Sequence, residues 1–95
     1  MPSYRVTLTI GLLRPGVQPQ QVLPAAAGAA AELTRVEARD LAVVAGEARI
    51  TVRYLADHDE MARDVAGRVA GEVTGLAGVS RTAITRREGT RWVPC

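Results

Sequence analysis

Leu41 to Glu60 reads LAVVAGEARITVRYLADHDE, and this stretch decides the fold. Ala48, Ile50, Val52 and Tyr54 alternate with Arg49, Thr51 and Arg53, the period-two pattern of a strand with one dry and one wet face. Gly46-Glu47 supplies a turn, and Leu41 and Val43 precede it, so the stretch is the clearest hairpin in the chain. Asp57-x-x-Glu60 then reads as a capping box, its acidic residues suited to the positive pole of a helix.

Working outward, Tyr4, Val6, Leu8, Ile10 and Leu12 alternate with Arg5, Thr7, Thr9 and Gly11, which predicts a first strand with the even residues in the core. Arg14-Pro15-Gly16 breaks it. From about Leu23 to Leu33 the pattern predicts a helix, Pro24 being tolerable only in its first turn; its alanine face must pack close. Thr34 to Ala45 predicts a second strand, with Arg35, Glu37 and Arg39 on the parity of Leu41 and Val43, so a bulge near Asp40 is expected. Met61, Val65, Val69, Val73 and Leu76 recur at helical spacing and predict a second helix ending at Gly75 or Gly78. Val79 to Arg87 reads as the last strand. The expected fold class is α+β, a ferredoxin-like βαββαβ sandwich whose four-stranded antiparallel sheet carries two helices on one face. Residues 1–95 form a single domain, with 88–95 as a C-terminal tail that is a short extra strand or a wrap over a neighbour.

Composition narrows the function classes. With 47% apolar and 23% charged residues the chain is globular, not a disordered tail. The run Ala25 to Ala31, interrupted by Gly28, is too short and too weakly hydrophobic for a membrane span, and no compact apolar block marks a secretory signal. A cytoplasmic protein is expected. All 12 basic residues are arginine, and lysine, asparagine and phenylalanine are absent, which fits the codon bias of a GC-rich genome. The net charge of +2 is too mild to announce nucleic acid, although residues 80–95 set Arg81, Arg86, Arg87 and Arg91 against Glu88 alone. Cys95 is the only cysteine, so an intrachain disulfide and a cysteine-based metal site are excluded; a solvent-exposed, unactivated thiol is expected there.

Each candidate site has a plain structural reading beside the functional one. Gly67, Gly71 and Gly75 at four-residue spacing fit either close helix packing within the chain, composition bias, or a helix-mediated dimer. His58 among Asp57, Asp59, Glu60 and Asp64 suggests a metal or a general base, yet capping already accounts for Asp57 and Glu60. No catalytic residue, metal ligand or cofactor is assigned. The wet sheet face is the more informative surface: Arg5, Thr7 and Thr9 from the first strand and Arg49, Thr51 and Arg53 from the third become neighbours, with Arg35, Glu37 and Arg39 or Arg81 and Arg87 at the sides. An RNA-recognition sheet would carry stacking aromatics on the two central strands, whereas Tyr4 and Tyr54 share the core parity. Such a face is either solvated or pairs with its twin across a two-fold axis.

From Val44-Ala45-Gly46-Glu47 through Leu76-Ala77-Gly78-Val79-Ser80-Arg81-Thr82 the chain resembles the effector-binding domain of the leucine-responsive, feast/famine regulators: a glycine turn into the third strand, an acidic helix start, and a Leu-x-Gly-Val ending into a strand with threonine. The resemblance covers the second half and implies a sheet-face dimer able to bind an amino acid between subunits. Ala48-Arg49 stands where that family has an acidic residue, and no DNA-binding helices precede the domain. Pro15-Gly16-Val17-Gln18-Pro19-Gln20 is similar to the small subunit of the purine-pathway amidotransferase, which implies an accessory subunit bridging larger enzymes.

The expected function is a non-enzymatic, homodimeric ligand-sensing or assembly module, joined through its sheet face or tail, with a protein or a small anionic ligand as partner. Arg5, Arg49 and Arg53 are the ligand or interface candidates, and Trp92 an anchor for a partner. The alternatives are a small dimeric α+β-barrel enzyme of oxygenase or cyclase type, and a weak RNA-binding domain using the arginines. Nucleic acid is the disfavoured partner, and no membrane association is expected.

Overall fold

The computed structural model describes residues 1–95. Strand β1 (Ser3–Leu13) leads through a 3-10 turn (Pro19–Gln21) into helix α1 (Val22–Ala31), then β2 (Val36–Val44), β3 (Glu47–Leu55), α2 (Asp59–Thr74), β4 (Ala77–Glu88) and β5 (Arg91–Pro94). The strands form one sheet in the order β2-β3-β1-β4-β5, every neighbouring pair antiparallel. The chain is therefore α+β with two helices and a five-stranded antiparallel sheet. This is compatible with the ferredoxin-like type but corrects the expected strand count from four to five, because the tail folds back as β5. Gly89, at φ 62, opens the two-residue loop between the Glu88–Arg91 pair, a conformation that glycine enters without a Cβ clash.

Both helices lie on the side of the sheet that presents Tyr4, Val6, Leu8, Ile50, Val52 and Tyr54. Facing them are Val22, Ala26, Ala29 and Ala30 of α1 and Ala62, Val65, Ala66, Val69 and Val73 of α2. Small alanines let α1 approach the sheet and α2 closely enough to leave Ala26, Ala30, Ala62 and Val69 fully excluded from solvent. The two buried phenols end in hydrogen bonds: Tyr54 donates to the carbonyl of Ala62 at 2.7 Å and Tyr4 to Asp59 Oδ1 at 2.7 Å. Burial, helped by the neighbouring Asp59 carboxylate, pushes the Tyr4 hydroxyl up to about 12.

Several expectations are corrected. Leu12 is 89% exposed because the β1–β4 register shifts between Thr9 and Ile10 and again before Leu13, so Leu13 packs on the core in its place. The bulge in β2 falls between Val36 and Ala38, not near Asp40; beyond it Arg39 is paired with Val52 and leaves the wet parity. The β2–β3 turn is Ala45-Gly46 rather than Gly46-Glu47, since Val44 pairs with Glu47 and both loop residues have positive φ, 53 and 81. Helix α2 is capped by His58, whose Nδ1 accepts from the Met61 amide at 3.1 Å, so the Asp57–Glu60 capping box does not form. A Cβ added at Gly67 or Gly71 would meet nothing within 4 Å, so these glycines serve no close helix contact inside the chain. Cys95 is half-buried against the core, its thiol 3.8 Å from the Ile84 carbonyl and pushed up by burial, instead of free in solvent.

No helix is long and apolar enough to cross a membrane.

Candidate functional site: the open face of the sheet

Alternation along β1, β3 and β4 sends every second side chain to the face away from the helices. The register then sets them in rows. Arg49, Thr9 and Arg81 form one, Thr51, Thr7 and Ala83 the next, and Arg53, Arg5 and Thr85 the third. Arg87 pairs with Trp92 on β5 at the end of the face, and Asp40 of β2 stands opposite Thr51. All four sequence-predicted residues, Arg5, Arg49, Arg53 and Trp92, thus share this face, but they form two groups.

At one end Trp92 is half-buried, with the Arg5 guanidinium 3.8 Å from its ring centroid and that of Arg53 at 5.3 Å. Cations over an indole face gain about 0.5–1 kcal/mol when exposed. Arg53 also donates through Nε to Glu37 Oε1 at 3.3 Å, and Ser3 donates to the same oxygen. The Ser3 hydroxyl first, and then Arg53, hold the Glu37 carboxyl below its ordinary range. Thr7, Asp40, Thr51 and Thr85, with Ala38 and Arg39 at the β2 edge, complete an open hollow of about 470 Å³ beside these groups. Trp92 is therefore a platform that orders two arginines.

At the other end Arg49 and Arg81 flank Thr9 over a smaller hollow of about 240 Å³, which also touches Thr7 and Ala83. Thr7 borders both hollows, and its hydroxyl lies 3.3 Å from that of Thr51. The face carries Arg5, Arg49, Arg53, Arg81 and Arg87 against the carboxylates Glu37, Asp40 and Glu47.

On the opposite side of β4, Arg86 is spent on structure: its Nη1 reaches Asp59 at 2.8 Å and its Nη2 contacts Glu88. Arg86, with the Tyr4 hydroxyl, holds the Asp59 carboxyl below its usual value. His58 and Asp59 thus cap and tie down α2. An apolar crevice of about 210 Å³, lined by Ile10, Leu13, Val22, Leu23, Leu41 and Ile50 among others, opens where α1 begins; no titratable side chain lines it.

Sequence reasoning placed Arg49 and Arg53 by parity but missed the contact of Arg5 with Trp92. The signal was Gly89-Thr90 between Glu88 and Arg91, a two-residue hairpin loop that returns the tail to the sheet. Set against family models, curated proteins and solved structures, the chain shows no significant match.

Proposed function

We propose that this chain is a non-enzymatic, ferredoxin-like ligand-sensing module that holds an anionic ligand on its open sheet face and acts as a homodimer through that face. The carrying observation is the set of five arginines, Arg5, Arg49, Arg53, Arg81 and Arg87, facing three carboxylates, Glu37, Asp40 and Glu47, on an uncovered sheet. Two such faces brought together bare would oppose like charge to like charge at low dielectric, which costs several kcal/mol. An anion between them removes that cost, so ligand binding and dimerisation are coupled by linkage. Trp92 adds an aromatic surface at the rim for the organic part of a ligand or for the partner copy.

Sedimentation velocity tests this with a panel of anionic metabolites added to micromolar protein. The expected result is a monomer that becomes a dimer in the presence of at least one anion, together with an increase in thermal stability. A monomer under every condition would remove the dimer, and thermal unfolding that ignores the whole panel would remove the sensor.

A second reading, weak binding of single-stranded RNA, is favoured by Trp92 lying beside Arg5 on the sheet face. Affinity for short RNA that falls steeply with salt would support it, and no retention on heparin would count against it.

A further inference from the structure

Three arginines of the open face already have a use. Arg53 is paired with Glu37, Arg5 lies on Trp92, and Arg87 donates through Nε to the Gly89 carbonyl at 2.9 Å. Arg49 and Arg81 differ, because neither enters an ion pair or a side-chain hydrogen bond. The Arg49 Nε is moreover shielded from solvent without any partner. Between the two, Thr9 is 6% exposed and is the one polar residue among the buried set, although it points away from the helices. A shielded donor on a charged group is costly to leave unpaired. Nothing in the packing of the core requires this one.

The geometry points to a phosphate station in the hollow between Arg49 and Arg81. This assignment rests on the reading of the open face as an anion-binding surface and names the ligand class for it. Arg49 of β3 and Arg81 of β4 line the hollow on either side of β1, which contributes Thr9 and Thr7 between them. Donors from three directions suit a tetrahedral oxyanion with three free oxygens; a planar carboxylate is satisfied by a single guanidinium fork. Two unpaired cations match a dianion. The hollow of about 240 Å³ has room for a phosphate and the first atoms of its ester. Past Thr7 the trough continues to Arg5, Arg53 and Trp92, four residues further along β3 and about 13 Å away by strand rise. The ligand class is thus a phosphate monoester whose phosphate sits at Arg49 and Arg81 and whose body runs toward Trp92.

The test uses inorganic phosphate on the full chain at ionic strength held constant with chloride, read by thermal unfolding and by the arginine guanidinium N–H resonances. Phosphate is expected to raise the melting temperature by several degrees once well above its dissociation constant, and to move the guanidinium Nη–H signals of Arg49 and Arg81 downfield. Arg81→Gln should weaken phosphate binding about tenfold or more, as loss of one charge-assisted contact does, while Arg68→Gln, which removes one charge from α2 on the covered side where Arg68 pairs with Glu32, should leave it nearly unchanged. The Arg49 resonance is read on the unmodified protein, so it does not depend on how a variant folds. Equal losses in Arg81→Gln and Arg68→Gln would show net charge alone at work and overturn the station. An unmoved Arg49 signal, with a larger anion still binding through Arg5 and Arg53, would overturn the station and spare the sensor reading. An unmoved signal with no anion bound at all would overturn both.

Discussion

The two faces of the sheet are built from the same strands and obey opposite rules. On the helix side Tyr4, Val6, Leu8, Val52 and Tyr54 are at most 1% exposed, and both phenols are hydrogen-bonded. On the open side, one residue away along each strand, arginines outnumber carboxylates and the shielded Nε of Arg49 is unpaired. The first face is complete within the chain. The second holds charge that folding does not use, and a protein retains such charge at some cost when it serves an interaction.

Substitutions at neighbouring positions on β1 probe this contrast most strongly. Leu8→Ala should cost about 2–5 kcal/mol, because it removes a fully buried side chain and leaves a cavity. Thr7→Ala, one position away on the open face, should stay within about 0.5 kcal/mol. Urea unfolding of the two variants checks both numbers, and similar losses would break the distinction between the faces. Tyr54→Phe should cost about 1 kcal/mol by the same measurement, since its hydroxyl donates to the Ala62 carbonyl inside the core.

Around α2 the contrast recurs between the buried row of Val65, Val69 and Val73 and the outer positions Gly67 and Gly71. Adding a Cβ at either glycine meets nothing, so Gly67→Ala and Gly71→Ala should each raise stability by up to about 1 kcal/mol. A loss instead would show that another chain approaches this helix closely.

The smallest effect is a pH dependence. Asp59 is depressed by Arg86 and Tyr4, and Glu37 by Ser3 and Arg53, so both carboxyls bind protons more readily in the unfolded chain. Their stabilisation is full above the ordinary carboxylate pKa of about 4 and is lost as pH falls below it, through the folded values. Tyr4 acts in the opposite direction: raised to about 12, it contributes below the ordinary phenol value of 10.0, and that contribution is lost as pH climbs between the two. Melting temperatures across pH 2 to 7 in Asp59→Asn should show a shallower acid limb than the parent chain. An unchanged limb would show that the Arg86–Asp59 pair adds nothing to folding.

Much of this arrangement is legible in the residues. Parity alone separates Arg49 and Arg53 from Ile50 and Val52, and helical spacing identifies the buried face of α2. What escapes is set by distant partners. Leu12 leaves the core because β4 pairs with β1 through a register shift that β1 alone does not encode. Alanine at positive φ conceals the Ala45-Gly46 turn, for which asparagine and glycine are the usual markers. Arg39 changes sides because the bulge falls before it, at Val36 and Ala38. The Arg5–Trp92 contact depends on β5 closing on β4. The candidate site is thus half readable, its arginines from alternation and their grouping only from the assembled sheet.

The most direct measurement is an amide and side-chain chemical-shift map of the labelled protein titrated with a phosphate monoester. The account predicts changes centred on Arg5, Thr7, Thr9, Arg49, Thr51, Arg53, Arg81 and the Trp92 indole, with Val65, Val69 and Val73 on the covered side unmoved. Changes centred on the crevice at Val22 and Leu41, or spread evenly over all exposed arginines, would contradict it.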